Sequence, residues 1–245
     1  MLGFAATLAW LGCSSFPDRC ASSAKQPSLN IVSILNDYLP PLSDESFTHL
    51  AMGVRDFNAA VRTARIERCR LSSLGGGIIT NEDLIRAIAR FDSVDALTLV
   101  YIASHGSPDG LVLSDTLSFD GLIQALDART KGTIVLLLDS CYAGVLADDL
   151  ARDRSARIFA ITGTRGPTLE RWYSKTGSFS EALARTVRDR YSPGDDGKLT
   201  LGQLYDVMAK DIRDWNARYP HESGPITDPD WYGPRDLVVF DFNSR

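Results

Sequence analysis

The sequence has no Lys- or Arg-rich tract, no low-complexity linker and no metal-ligand spacing among its cysteines. Each absence excludes something. Basic and acidic residues are interspersed and the formal net charge is -5, a balance that argues against a nucleic-acid partner. No run approaches the ~20 apolar residues that a membrane-spanning helix needs. The cysteines Cys13, Cys20, Cys69 and Cys141 form no CxxC pair and no Cys/His cluster, so neither a zinc site nor a thioredoxin-like pair is indicated.

What is present is a chain of 245 residues, 44% hydrophobic, long enough to bury a sizeable core. Without a dividing linker, residues 29–245 read as one α/β domain. Residues 1–28 stand apart. Residues 2–11 are almost wholly apolar and lead into Gly12-Cys13-Ser14-Ser15. That pattern has two readings: the core of a secretory signal with Cys13 as a lipid-attachment site, or a loosely packed tail. No Lys or Arg precedes the apolar run, although a signal normally carries one. Residues 17–28 are rich in Ser, Ala and Pro and read as a tether. The compartment therefore stays open between export and cytoplasm. On export, Cys20 and Cys69 could pair and leave Cys141 as a thiol.

Periodicity and capping signals lay out the rest. Residues 31–39 have helical or mixed spacing, and 47–54 (FTHLAMGV) read as a first strand. A helix follows over 55–69, with Phe57, Ala60, Val61 and Ala64 on one face. The Gly-rich stretch 74–79 lacks the Lys or the GxGxxG spacing of a phosphate cradle and reads as a connection. Thr80 starts a helix that runs to Phe91, with acids in its first turn. Ser118 starts another, bearing Leu122, Ile123 and Leu126. Residues 157–162 (RIFAIT) are a buried strand and 163–178 a long polar loop. Capping boxes at Ser178–Glu181 and Thr200–Gln203 open helices ending near Arg190 and Tyr219. Residues 192–198 form a loop between these helices, and 236–242 close the chain as a strand. Strands alternating with helices indicate an α/β fold in three layers: a mostly parallel central sheet with helices on both faces.

Two further strands carry the chemistry. Residues 96–103 (ALTLVYIA) end in Ser104-His105-Gly106-Ser107, and 134–138 (IVLLL) end in Asp139-Ser140-Cys141. Runs this apolar are buried on both faces, as in a parallel sheet, and open α/β sheets place ligands at the carboxyl ends of their strands. The two ends lie about one β-loop-helix unit apart, the separation of neighbouring parallel strands. A thiol beside an imidazole suits nucleophilic attack on a peptide carbonyl. The N–H groups of Gly106 and Cys141 are candidate oxyanion donors. Asp139, two residues before Cys141, points to the same side of its strand and could pair with a substrate Arg or Lys; the rival reading is an Asp that ties down the loop.

SHGS after one strand and DSCYAG after the next resemble the paired motif of the caspase-like superfamily of cysteine peptidases, clan CD. HGSPDGLVL is similar to the legumain branch, and DSCYAG to the Asp-Ser/Ala-Cys block of metacaspases. The resemblance spans roughly residues 47–242. It implies a caspase-haemoglobinase fold, His105 and Cys141 as a catalytic dyad, Gly106 as an oxyanion donor, Asp139 lining the specificity pocket, and a polypeptide substrate. In similar proteins a segment comparable to 163–178 is often cut during activation, and here it contains Arg165, Arg171 and Lys175. The Gln-Ala-Cys block of true caspases is absent, which speaks against cleavage after Asp. No cofactor is implied. The calcium activation of some metacaspases finds no support in residues 192–203, because Gln203 stands where an EF-hand needs a bidentate Glu.

Other features are read as structural. His49 and His221 lack a strand-end thiol, and Trp172, Trp215 and Trp231 read as packing or substrate-groove residues. A tyrosine-phosphatase loop would need Arg where Ala147 stands, and a CxxC pair would need Cys in place of Gly144. The rival of another class is a catalytically idle caspase-like domain that binds partners.

Overall fold

The computed structural model describes residues 18–20, 28–36, 44–64, 66, 68–75, 78–168, 178–189, 196–218 and 227–242. Among them, twelve strands and six helices follow one another as β1 (Asp18–Cys20), β2 (Leu29–Leu35), α1 (Asp44–Thr63), β3 (Cys69–Leu74), α2 (Asn81–Phe91), β4 (Leu97–Ala103), β5 (Gly106–Ser107), β6 (Gly110–Val112), β7 (Thr116–Leu117), α3 (Phe119–Arg129), β8 (Ile134–Asp139), α4 (Gly144–Asp153), β9 (Ile158–Thr162), α5 (Ser178–Arg188), β10 (Lys198–Thr200), α6 (Leu201–Arg218), β11 (Asp230–Tyr232) and β12 (Val238–Asp241).

The main sheet has the order β1-β3-β2-β4-β8-β9-β11. Its inner pairs, β3 with β2, β2 with β4, β4 with β8 and β8 with β9, are all parallel. Only the two outermost pairs are antiparallel. Alternate residues of each inner strand feed two cores. Leu99, Tyr101, Val135 and Leu137 meet Phe57 of α1, Leu183 of α5 and Met208 of α6. Val100, Ile102, Leu136 and Leu138 meet Ile88 of α2, Leu122 of α3 and Leu150 of α4. This is the expected three-layer α/β arrangement. Strand order reverses at β2, and the helices before and after the reversal lie on opposite faces, as right-handed crossovers require.

Local chemistry explains the helix starts. Thr80 accepts from the Asp83 N–H at 3.1 Å while Asp83 accepts from the Thr80 N–H at 3.3 Å, a reciprocal box. Ser118 accepts from the Gly121 N–H at 3.0 Å. At α6, Thr200 donates its N–H to Gln203 at 2.9 Å and accepts in return at 3.3 Å. The box at Ser178 involves a side chain outside the described residues, as do loop residues 169–177 and 190–195, His221 and Trp172.

Two sequence expectations are overturned. Residues 47–54 are not a strand but lie within α1; Leu50, Val54, Phe57 and Val61 continue one buried helical stripe, which an eight-residue window could not separate from a strand. Residues 37–39 lie outside the described residues, and 31–35 are not helical, because β2 occupies Leu29–Leu35. Its neighbours bury both faces, so Ile31, Val32 and Ile34 all vanish from solvent and the alternation is lost. The strand at the end of the chain exists, but β12 pairs with β10 in a separate two-stranded ribbon. Among the elements that left no reading are β3, where Ser72 and Ser73 interrupt the apolar pattern, the short strands β5, β7 and β11, and α4, while Asp18–Cys20, within the stretch read as a tether, form β1.

At the far edge, Asp18–Cys20 pair antiparallel with β3, setting Cys20 directly opposite Cys69. Cys69 is disulfide-bonded. No helix among the described residues is long and apolar enough to cross a membrane.

Candidate active site

The site begins with a register. Ala103 of β4 pairs with Asp139 of β8, so His105 and Cys141 each follow a paired position by the same two steps. Below them the Ser104 N–H donates to the Asp139 carbonyl at 3.2 Å, extending the pairing beyond the last residue of β4. The chain then turns sharply on both strands.

After β4, the His105 carbonyl accepts from Val112 N–H at 3.0 Å, and Ser104 Oγ donates to the Val112 carbonyl at 3.2 Å. Both bonds anchor the turn to the small β5–β6–β7 ribbon. Asn36, buried at the end of β2, donates to the same carbonyl at 2.9 Å. The turn carrying the imidazole is thus held by main-chain and buried polar bonds. His105 is half-buried, and that burial holds its imidazole below the usual histidine value.

After β8, Cys141 is half-buried and outside any disulfide. Tyr142 adopts φ +59°, the left-handed region that a bulky residue enters only under constraint. The constraint is visible: Tyr142 N–H donates to the Thr168 carbonyl at 2.7 Å, and Gly144 N–H to Thr164 Oγ1 at 3.1 Å. The segment 163–168 therefore shapes the turn that bears the thiol. Cys141 comes just before α4, whose N-terminal amides favour negative charge on a nearby sulfur.

The two turns touch through backbone. A Cβ on Gly106 would lie 2.0 Å from the Cys141 carbonyl oxygen and 2.4 Å from Ser140 Oγ. Only glycine allows the His105 turn to approach the Cys141 turn this closely.

Asp139 points to the α1/α5 side and is 1% exposed. Its Oδ2 accepts from Tyr101 Oη at 3.0 Å and from the Ser180 hydroxyl. The carboxylate thus sits beneath the surface at the strand end, two residues before Cys141. The structure brings the His105–Gly106 turn against the turn that bears Cys141, with Asp139 buried two residues before the cysteine. Sequence reasoning missed Tyr101, Ser180, Thr164 and Tyr142. One signal was available: a Tyr inside a strand buried on both faces needs a partner for its hydroxyl.

Elsewhere, Trp231 stacks on Tyr205 with ring centroids 5.5 Å apart, the packing reading of that residue. Among the described residues no group of three or more His, Cys, Asp or Glu is arranged to hold a metal.

The family model described as the peptidase C13 family matches residues 91–219, a span that includes both strand ends. Among solved structures, the chain is similar to caspase-1 from Spodoptera frugiperda, with a TM-score of 0.60 and 14% identity over 90% of this chain and 92% of that one. That likeness is one of fold. No curated protein matches the chain.

Proposed function

The chain belongs to the peptidase C13 family and has a caspase-like fold; from that premise we propose that His105 and Cys141 are the catalytic dyad of this cysteine endopeptidase and that it cleaves polypeptides after Arg or Lys. The observation that carries the dyad is the Ala103–Asp139 register together with the contact of Gly106 on the Cys141 carbonyl. It sets the imidazole turn and the thiol turn side by side at the carboxyl edge of the sheet.

In this reading the Cys141 thiol passes its proton to His105 as the sulfur attacks the scissile carbonyl carbon, and the carbonyl electrons move to oxygen. The N–H groups of Gly106 and Cys141 stabilise that oxyanion. When the C–N bond breaks, His105 delivers a proton to the leaving amine. His105 then takes a proton from water as the water oxygen attacks the thioester carbonyl, and passes it to the departing sulfur, which releases the acid product and regenerates the thiol. A neutral imidazole suits this work, and the burial of His105 favours the neutral form. Thiol and imidazole supply both nucleophile and proton carrier, so the cycle uses no cofactor.

Basic specificity rests on Asp139: a carboxylate held at the base of the strand end attracts a guanidinium or ammonium in a partly dehydrated pocket. We also propose self-processing within 163–178. Arg165 is engaged, since its Nε donates to Asp228 at 3.0 Å, which favours Arg171 or Lys175 as the cut position. Residues 1–28 are proposed as an apolar signal or lipoprotein-signal segment, with Cys13 as the lipid site, followed by a tether from which Asp18–Cys20 add to the sheet, and 29–245 as the peptidase domain.

Labelling by an Arg-acyloxymethyl ketone tests the dyad. Wild type should gain the label on Cys141 and His105→Ala should lose it; a wild type that never labels and never cleaves a peptide library would favour the idle binding domain. Intact mass after incubation tests processing, with Cys141→Ala as the uncut control; active protein of unchanged mass would refute it.

A further inference from the structure

We propose that Tyr101 and Ser180 are specificity-determining positioning residues, whose paired hydroxyls hold the Asp139 carboxylate in place to receive the basic side chain of the substrate. This rests on the basic specificity proposed above and adds the residues that set it.

Three polar groups from three elements meet beneath α1 and α5. Tyr101 (β4), Asp139 (β8) and Ser180 (α5) are 0%, 1% and 2% exposed. Both hydroxyls donate to the same oxygen, Oδ2, and their own oxygens lie 2.9 Å apart. Around them stand Leu99, Leu137, Phe179 and Leu183. A cluster serving only to join these elements could be replaced by apolar groups of the same shape at little cost. Here instead a carboxylate is buried, which is unfavourable unless donors hold it, and it lies two residues from the thiol.

The surroundings are shaped for the hydroxyls. Phe57 packs edge-on against the Tyr101 ring, with centroids 4.9 Å apart and planes at 61°, which fixes where Oη ends. On α1, a Cβ at Gly53 would stand 2.4 Å from Ser180 Oγ and 3.1 Å from Tyr101 Oη. The helix carries no side chain at the one place where Ser180 needs room.

A carboxylate has about four acceptor positions, so two hydroxyl donors do not exhaust it. They restrict its rotation, and a basic side chain then meets an acceptor already oriented for it. Ser180 belongs to α5, the helix that begins where the 163–178 loop ends. The specificity group is therefore tied to the loop proposed to be cut.

The test is steady-state kinetics of Tyr101→Phe, Ser180→Ala and Gly53→Ala on matched peptides with Arg, Lys or norleucine at the acyl side of the cleaved bond, each variant checked by thermal melt. Loss of one hydroxyl should raise KM for the Arg and Lys peptides roughly 10-fold with kcat nearly retained, and lower the Arg-over-norleucine preference by the same factor. Gly53→Ala, which displaces Ser180, should reproduce Ser180→Ala. Tyr101→Phe keeps the ring packing and so reports on the hydroxyl alone. A wild type that prefers Arg and Lys, with variants of unchanged KM or with all substrates weakened equally, would overturn the role of the hydroxyls. A wild type with no basic preference would overturn the specificity reading itself, and this proposal with it.

Discussion

A side-chain carbon on Gly106 would stand 2.0 Å from the carbonyl oxygen of Cys141. Backbone on both sides leaves nothing flexible to move aside, so the two turns would have to part. Gly106→Ala is expected to lower kcat/KM by about 10²–10³, the effect of misplacing the oxyanion donor proposed for this position. Overpacking should cost about 1–3 kcal/mol of stability. Peptide kinetics and urea denaturation measure the two effects, and Cys141→Ala, expected to abolish turnover, serves as the folded control.

Burial lowers the affinity of His105 for a proton relative to its ordinary value of 6.5. The unfolded chain protonates this histidine at the ordinary value, and the folded chain only at lower pH. In the window below 6.5 the unfolded state thus binds more protons, and stability falls as pH falls through it. His105→Gln should remove that part of the acid-side loss, seen in urea melts taken across the window. In wild type the acid limb of kcat/KM should lie below pH 6.5, and His105→Gln should cost about 10²–10⁴ in rate.

Thr164 is 1% exposed, and its Oγ1 accepts the Gly144 N–H at the start of α4. Ala143, the cap residue of that helix, makes no side-chain cap bond. Thr164→Val keeps the shape and removes the acceptor, leaving a buried amide unbonded at a cost of about 1–3 kcal/mol. Because the same turn carries Cys141, kcat should fall along with stability. Urea midpoints and single-turnover kinetics would reveal a stability loss with unchanged kcat, the result that would separate the 163–168 segment from the thiol.

Asp139→Asn should depress cleavage after Arg far more than cleavage after norleucine, since it removes the charge and keeps an acceptor for the two hydroxyls. Asp139→Ala should in addition lose stability, because the Tyr101 and Ser180 hydroxyls are then buried without their acceptor. A substrate panel with parallel melts distinguishes these outcomes.

Cys69 is disulfide-bonded, and the register sets Cys20 opposite it. Cys69→Ser is expected to lower stability by about 2–4 kcal/mol, and a reductant should lower the melting temperature of the wild type and leave the variant unchanged. Peptide mapping of unreduced protein should recover Cys20 and Cys69 in one linked fragment; a fragment with Cys69 alone would refute the pairing.

The strand ends were legible because burial of a parallel strand on both faces writes an unbroken apolar run into the sequence, and the run stops where the chain emerges. That pattern located His105 and Cys141. Helix starts at Thr80, Ser118 and Thr200 were legible for a similar reason, since a cap and its partner lie within one turn. Residues 31–35 misled because burial on both sides removed their alternation, and 47–54 because half of a helical stripe is too short to show its period.

The sequence by itself determined the layered fold and the two residues with reactive side chains, since local burial patterns and short-range capping encode both. Only tertiary structure decided what surrounds them: the donors on Asp139, the glycine that makes room for Ser180, and the Thr168 carbonyl that bends Tyr142. Tyr101 and Ser180 are 79 positions apart. Their meeting depends on which face of the sheet α5 covers, and helix-on-sheet packing, unlike a cap or a strand end, leaves no signature within a few residues of either partner.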